Sequence, residues 1–338
     1  MRKRPTRMEL FDGFYARLTA QGRDEVLFGY EREGARDFFR RCLITDRFPF
    51  MYYEFPLKGD PCLDMLATYK HIDHGARFAP GCGYGYQPVF DWFSRQEHLE
   101  RPAIGLELDL SQGQTEHAGI YFQQMSETQL VSPFLDAVGY GQRAASYLKM
   151  AERLPKGWKT DYVGLFPARP DAPLRLGGTL SGLSQRRCAQ DPVFLGSRFD
   201  LVGFQAYDAQ MLDWCARLMG LAKGVEFQFD LLPDGALGDA FGLLVSFSHV
   251  GPKKAASSFA SGYAAAVMET FEKWGIADSR WRLIPDVTTA RRVDYERDGG
   301  GTGHLAASLC LDYAKVKFVG GVAMAAKFYL SAAVREMG

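Results

Sequence analysis

Residues 309–330 of the chain read LCLDYAKVKFVGGVAMAAKFYL, two apolar segments around a Gly-Gly pair that also hold three lysines, Lys315, Lys317 and Lys327. The apolar residues alternate with polar ones, which is the pattern of a half-buried β-strand. An unpaired ammonium group is costly to bury in an apolar core. The stretch therefore predicts strands with one apolar face and one cationic face.

The same alternation recurs in pairs of segments along the rest of the chain. Short linkers with turn residues, such as KGDP, SQGQ and LPDGALGD, join the two members of a pair, as antiparallel hairpins require. The predicted pairs are 48–56 with 62–70, 102–110 with 116–124, 160–168 with 173–180, 225–232 with 241–248, and 304–313 with 314–330.

Amphipathic helical segments lie between these hairpins, and we predict helices at 86–99, 131–154, 208–220 and 261–275. Hairpins followed by helices exclude a doubly wound parallel sheet, which needs single strands alternating with helices. The predicted fold class is α+β: a closed antiparallel β-barrel of about ten strands, built from repeated αββα units with the helices outside. We assign residues 1–30 to an N-terminal segment and residues 31–338 to a single barrel domain.

Helices on the outside require the apolar residues of each strand to face outward and the alternate residues to face the lumen. A barrel of this width has room for a ligand. The predicted lumen carries lysines, an arginine, tyrosines and carboxylates, among them Asp64, Thr68, Lys70, Glu107, Asp109, Tyr121, Gln123, Arg175, Thr179, Glu226, Gln228, Asp230, Lys315, Lys317, Lys327 and Tyr329. An open sheet with one solvated face would carry similar residues, and this alternative stays open.

The overall charge excludes a general attraction to nucleic acid or to anionic membranes, because 40 basic residues balance 40 acidic ones. The basic start MRKRPTR is read as a solvated tail, and no apolar segment of a secretory signal follows it. Six cysteines without a C-x-x-C pair favour reduced thiols over a disulfide framework or a zinc site. We therefore expect a soluble cytoplasmic protein without nucleic-acid or membrane partners.

Three motifs carry a family resemblance. GDPCLDMLATY followed by ARFAPG, IGLELDLSQGQTEHAGIYFQQ, and the K-x-Y strand AAKFYL together resemble the aromatic prenyltransferases of the ABBA fold, over nearly the whole chain from about residue 30. The chain departs from that pattern at Gly119 and Gly177, where the family has lysines, and at Thr179, where it has a tyrosine. Asp64 stands one residue later than the family's first-strand glutamate.

The resemblance implies transfer of a prenyl group from an allylic diphosphate, dimethylallyl or geranyl, to an aromatic acceptor inside the barrel, with an indole, a phenol or a peptide side chain as acceptor. Cations would hold the diphosphate, aromatic and polar side chains would shield the carbocation and bind substrate, and a carboxylate would act as general base. The candidates for binding the diphosphate are Arg77, Arg175, Lys315, Lys317 and Lys327. Those for shielding the carbocation and binding substrate are Tyr52, Tyr121, Tyr329, Gln228 and Asp230. Those for the general base are Glu107 and Asp64.

The same resemblance implies no obligatory metal, since no D-D-x-x-D cluster is present. A Mg²⁺ ion bridging Asp64, Asp109 or Asp230 to the diphosphate stays open, because this ion usually takes one or two carboxylates together with substrate phosphate.

Four other interpretations compete with this one. The lumen could belong to an enzyme of different chemistry that uses Glu107, Asp109 and Asp230. The barrel could be a non-catalytic binder of a small anionic ligand or a peptide. The glycine-rich GCGYGYQP at 81–88 could hold S-adenosylmethionine in a methyltransferase, although the apolar strand that should precede such a loop is missing. The pair His71 and His74 has a spacing that metal ligands use on a helix, but a turn after a strand is the simpler interpretation.

Overall fold

The computed structural model describes residues 3–18, 27, 29, 32–41, 48–72, 86–96, 103–109, 114–124, 127–167 and 173–337. Its strands are β1 Phe50–Pro56, β2 Asp64–Tyr69, β3 Ala103–Asp109, β4 Gln114–Gln123, β5 Trp158–Leu165, β6 Leu174–Leu180, β7 Val225–Leu231, β8 Leu237–Val250, β9 Thr289–Glu296, β10 Thr302–Val319 and β11 Val322–Met337. All of their pairings are antiparallel.

Ten of these strands form a closed ring. Strands β1 to β8 follow one another, β8 pairs with β10, β10 with β11, and β11 with β1. The remaining strand, β9, pairs with the first half of β10 and lies outside the ring. The fold class expected from the sequence, an α+β fold with a closed antiparallel barrel of about ten strands, is confirmed.

The α-helices are α1 Arg7–Leu18, α2 Arg32–Arg41, α3 Gln87–Phe93, α4 Val131–Ala137, α5 Ala144–Glu152, α6 Gly182–Gln190, α7 Pro192–Val202, α8 Ala209–Leu221, α9 Pro252–Ser261, α10 Tyr263–Lys273 and α11 Ile284–Val287. Short 3₁₀ turns lie at Thr128–Leu130, Gly141–Arg143 and Ser279–Leu283. Among these helices, none has both the length and the apolar character needed to cross a bilayer.

The apolar faces of strands and helices meet in one large core. Leu106 and Ile120 of the barrel and Phe134 and Phe199 of the helices are fully buried in it. This burial of apolar area is the main favourable term in folding. Phe11 of α1 belongs to the same core, although the sequence assigns it to a separate N-terminal segment. The domain division at residue 30 stays a prediction.

Local signals explain where the outer helices begin and end. The side chains of Asp191 and Asp208 accept hydrogen bonds from the third residue of α7 and α8, so each satisfies a backbone N–H that the first turn leaves unpaired. Gly203 ends α7 in the left-handed region at φ +86°. Helix α7 was not predicted, because Val193 and Leu201 are exposed apolar residues that blur its periodicity.

The helix predicted at 131–154 is wrong, since the structure ends α4 at Ala137 and starts α5 at Ala144. Gly139 between them has φ +82°, a conformation that continues no α-helix. The N–H groups of Gly139 and Tyr140 turn back to the carbonyls of Asp136 and Leu135, respectively, and close the end of α4.

The strand boundary predicted at 313/314 is also wrong. Strand β10 runs without a break from Thr302 to Val319, and the turn lies at Gly320-Gly321. A β-bulge at Asp312 shifts the pairing between Leu311 and Tyr313. Because of the extra residue, the buried positions change from odd to even residue numbers at Asp312. One continuous strand therefore looks like two strands in the sequence.

The Gly-Gly turn gives a first prediction. Both glycines have positive φ, +56° and +84°, so an L-residue at either position is strained. We expect Gly321→Ala to lower the free energy of unfolding by about 1–2 kcal/mol, measured by chemical denaturation. Gly220→Ala on the exposed face of α8 is the control and should be neutral or stabilising. Equal effects of the two substitutions would contradict the turn geometry.

Candidate active site

The barrel encloses a cavity of about 400 Å³. Its lining includes nine of the twelve residues that the sequence singles out, namely Tyr52, Glu107, Tyr121, Arg175, Gln228, Lys315, Lys317, Lys327 and Tyr329. Asp64 and Asp230 lie behind this lining and form ion pairs with two of its cations. Arg77 lies outside the described residues.

Lys327 on β11 forms the tightest charged contact of the site. Its Nζ lies 2.7 Å from Oε1 of Glu54 on β1 and 2.8 Å from Oδ2 of Asp64 on β2. Both carboxylates are buried, at 6% and 1% exposure. Burial alone would lower the pKa of Lys327, but the two carboxylates raise it well above its usual range. Lys327 therefore stays protonated, with two anions already bound to it.

Arg175 on β6 is a second paired cation. Its Nε donates to Oδ1 of Asp230 at 3.1 Å. Burial alone would lower the pKa of Arg175, but Asp230 raises it. The guanidinium also lies over the Phe166 ring, 4.6 Å from its centroid, and Nη1 is 3.5 Å from the Tyr121 hydroxyl. This guanidinium is fixed in position before any ligand arrives.

Lys315 on β10 differs from these two cations. No hydrogen bond or ion pair joins its ammonium group to another residue in the described part of the chain, and the side chain lies in the cavity wall beside Gly242. Burial, together with the positive charges of Arg175 and Lys327, lowers the pKa of Lys315 to about 7. Lys315 is thus the cation that is ready to take an anionic ligand. Lys317, two residues along, is exposed at the mouth of the cavity.

A carboxylate and a tyrosine face each other across β3 and β4. The Tyr121 hydroxyl donates to Oε2 of Glu107 at 2.5 Å. Burial and the charge of Glu107 raise the pKa of Tyr121, so the phenol stays protonated. Glu107 lines the cavity, where a carboxylate can act as a general base toward a bound substrate.

The end of the lumen away from the lysines is acidic and aromatic. Glu226 on β7 lies there, and Tyr313 hydrogen-bonds to its carboxylate. Burial raises the pKa of Glu226 to about 7, and the charges of Asp161 and Asp312 add to that rise. The rings of Tyr52 and Tyr313 lie with centroids 6.3 Å apart. The cavity therefore has a cationic end and an end suited to a neutral aromatic molecule.

The sequence missed Glu54, Tyr162 and Tyr313 as lining residues. Glu54 follows Tyr52 by two residues on the same strand, so alternation along β1 could have found it. Tyr313 precedes Lys315 by two residues with no bulge between them, so alternation along β10 could have found it as well. Tyr162 follows a β-bulge at Asp161, which reverses the alternation counted from the start of β5.

Other predicted residues lie elsewhere. Lys70 is exposed just beyond the end of β2. Positions 81–85 of the glycine-rich loop and His74 lie outside the described residues, and so does the side chain of Asp109. Among the residues that the structure describes, no group of three or more His, Cys, Asp or Glu side chains could hold a metal ion.

The class of architecture is that of the ABBA-type aromatic prenyltransferases, an antiparallel ten-stranded barrel with helices outside. No protein-family model and no curated protein sequence matches the chain. A 5-dimethylallyltryptophan synthase from Streptomyces coelicolor matches in structure with a TM-score of 0.52 and 13% identity, over 97% of each chain.

The prenyltransferase PriB in its apo form matches with a TM-score of 0.56 and 14% identity, over 98% of this chain and 96% of that one. PriB in a ternary complex with L-tryptophan and dimethylallyl thiolodiphosphate matches with a TM-score of 0.54 and 12% identity, over 97% and 96%. At these identities the likeness is one of fold. The matches span nearly the full length of both chains, so the barrel fold is shared.

Proposed function

We propose that the protein is an enzyme that transfers a prenyl group from an allylic diphosphate to an aromatic acceptor inside the barrel. One observation carries the proposal: Lys315, Lys317, Lys327 and Arg175 line a single cavity together with tyrosine rings. The shared fold supports it, since one protein with this fold is named a prenyltransferase and another a 5-dimethylallyltryptophan synthase.

The lysines on β10 are the donor site in this proposal. The diphosphate binds to the unpaired ammonium of Lys315 and to Lys317 at the mouth, while Arg175 and Lys327 add positive potential from fixed positions. The C1–O bond of the donor breaks, and its electron pair leaves with the diphosphate oxygen. The cations stabilise this negative charge where little water is present.

The aromatic residues and Glu107 serve the second half of the reaction. The rings of Tyr52, Tyr121 and Tyr329 shield the allylic cation by cation–π attraction. A ring carbon of the acceptor forms the new C–C bond, and the proton that this carbon loses passes to Glu107. Asp64 holds Lys327 in place, and Gln228 and Asp230 orient Tyr162 and Arg175.

An indole is the acceptor that we favour, because PriB is described with L-tryptophan bound; phenols and peptide side chains are the other acceptors to test. No metal is required in this proposal, because the cations of the lumen take the role that Mg²⁺ has elsewhere. The four described cysteines are free thiols, in keeping with a reducing compartment, and we propose the cytoplasm.

The assay combines the protein with dimethylallyl, geranyl and farnesyl diphosphates and a panel of indoles, phenols and tryptophan-containing peptides, with and without EDTA. We expect a product heavier by one prenyl unit, seen by mass spectrometry, in amounts that EDTA does not change. Loss of product with EDTA would assign Mg²⁺ to the donor site. Binding of diphosphates without any product would favour the non-catalytic barrel.

The decisive negative result is a lack of any interaction with diphosphates. If inorganic diphosphate and all three donors leave the thermal unfolding of the unmutated protein unchanged, the proposed function is wrong. The methyltransferase alternative has no support in the fold, because the described strands are antiparallel and the parallel sheet of such enzymes is not among them.

A further inference from the structure

Two inward positions of neighbouring strands are glycines with a tyrosine ring lying on them. Tyr121 on β4 is paired with Gly164 on β5, and Tyr162 on β5 is paired with Gly177 on β6. A Cβ added at Gly164 would lie 2.6 Å from Cε1 of Tyr121, and one at Gly177 would lie 1.9 Å from Cζ of Tyr162. Both rings therefore lie flat against the barrel wall, in space that any other residue would fill.

A third glycine repeats the arrangement at the cationic end. A Cβ added at Gly119 would lie 2.7 Å from the Phe166 ring. Phe166 in turn contacts the Tyr121 ring edge to face, with centroids 5.4 Å apart, and supports the guanidinium of Arg175. Gly119 and Gly177 are the two positions at which the prenyltransferases that the sequence resembles have lysines. Aromatic rings therefore occupy the space that the two lysine side chains would fill.

Polar contacts hold the two tyrosine rings in place. Nε2 of Gln228 donates to the Tyr162 hydroxyl at 2.5 Å, and the Tyr121 hydroxyl donates to Glu107. The ring centroids of Tyr121 and Tyr162 are 5.8 Å apart at 67°. We call these two residues the tyrosine wall. Their faces are apolar and line the cavity, while their hydroxyls are occupied by the protein.

The tyrosine wall lies across the lumen from the lysines. In the ring of ten strands, β5 is five places from β11 and β4 is five places from β10, which carry Lys327 and Lys315. Because Arg175 of the donor site contacts Tyr121, a donor bound to these cations extends its hydrocarbon chain along the part of the wall that Tyr162 forms. The depth of the lumen between the two walls then limits the length of that chain.

We propose that Gly164 and Gly177 set the prenyl-chain length, by letting the tyrosine wall lie flat so that the lumen accepts a ten-carbon geranyl group in preference to a five-carbon dimethylallyl group. This inference rests on the proposed function. A side chain at position 177 must push the Tyr162 ring into the lumen, since the β6 backbone lies on its other side. Restoring a carbon–carbon contact of ~3.5 Å from 1.9 Å moves the ring by about 1.6 Å.

The test compares the binding of dimethylallyl thiolodiphosphate, geranyl thiolodiphosphate and inorganic diphosphate by calorimetry, without an acceptor. We expect the unmutated protein to bind the geranyl analogue at least about tenfold more tightly than the dimethylallyl analogue. In Gly177→Ala this ratio should fall to about one, with the affinity for inorganic diphosphate changed less than about twofold. Gly224→Ala, at an open position outside the lumen, is the control and should keep the ratio.

A double variant separates ring displacement from damage to the fold. Tyr162→Leu removes the ring that Gly177→Ala displaces, so the double variant should recover the geranyl preference. If Gly177→Ala does not fold, the single variant Tyr162→Leu tests the inference. It should bind farnesyl thiolodiphosphate tightly as well. Any of three results would overturn the inference. The affinity ratio could stay unchanged in Gly177→Ala, the double variant could fail to recover the geranyl preference, or the unmutated protein could bind both analogues equally.

The binding of inorganic diphosphate distinguishes a failure of this inference from a failure of the proposed function. If inorganic diphosphate does not bind, the donor site itself is wrong and the proposed function fails. If it binds while the prenyl analogues show no dependence on Gly177, the donor site stands and only the role of the glycines is lost.

Discussion

Lys327→Met is expected to destabilise the protein by about 3–5 kcal/mol at neutral pH. Methionine leaves the carboxylates of Glu54 and Asp64 buried without the ammonium that now lies 2.7 and 2.8 Å from them. Lys327 lowers the pKa of Glu54 against the opposing effect of burial, so its removal favours protonation of that carboxyl group. The measurement is urea denaturation followed by circular dichroism.

The pH dependence of this variant has a defined sign. Without Lys327, burial makes Glu54 bind a proton more readily in the folded state than in the unfolded chain, so acid reduces the penalty. The loss relative to the unmutated protein should therefore be largest at pH 7–8 and shrink toward pH 5. Lys149→Met, on the exposed face of α5, is the control and should change the stability by less than about 0.5 kcal/mol. A loss below about 1 kcal/mol at pH 7.5 would contradict the buried ion-pair assignment.

The second large effect concerns Lys315. Lys315→Met is expected to weaken the binding of inorganic diphosphate roughly tenfold to a hundredfold, the size of a hydrogen bond to a charged group in a site with little water. No carboxylate of the described residues forms an ion pair with Lys315, whereas Arg175 and Lys327 are each paired with a carboxylate. Calorimetry on the unmutated protein, Lys315→Met and Lys149→Met measures the difference.

The pH dependence of binding follows from the charge state of Lys315. Its pKa of about 7 reflects burial and the nearby Arg175 and Lys327, opposed by Glu54 and Glu107. Bound diphosphate favours the protonated form, so the complex takes up a proton as the pH rises above about 7. The affinity should be level below pH 7 and fall by up to about tenfold per pH unit above it.

Lys315→Arg tests that explanation. A guanidinium stays charged over this range, so the decline above pH 7 should disappear in the variant even if its geometry lowers the affinity. The same decline in Lys315→Arg as in the unmutated protein would assign the titration to another group.

The sequence predicted the barrel because its hairpins have short turns and its strands alternate over several residues. Alternation also placed Glu107, Arg175 and Lys315 on the face that lines the cavity. It failed for Tyr162, because the bulge at Asp161 inserts one residue and reverses every side chain that follows. Bulges have no reliable local signal, so this part of the site requires three-dimensional information.

The charge balance of the lumen could not be predicted either. The sequence shows which residues are cationic, but pairing depends on contacts between distant strands. Asp64 and Lys327 are 263 residues apart, and Arg175 and Asp230 are 55 apart. A lysine with two bound carboxylates and a lysine with none look the same in the sequence. The distinction between Lys315 and Lys327 therefore comes from the fold alone.

The closure of the ring by β1 and β11 has a consequence for biogenesis. Met51 pairs with Ala332, so the two strands that close the barrel are separated by nearly the whole chain. A growing polypeptide cannot complete this pairing on the ribosome until β11 has emerged, and β1 keeps an unpaired edge until then. Such edges are sites of aggregation, and contacts between distant residues slow folding. High-yield production should therefore depend on slow synthesis or on chaperones that cover the β1 edge.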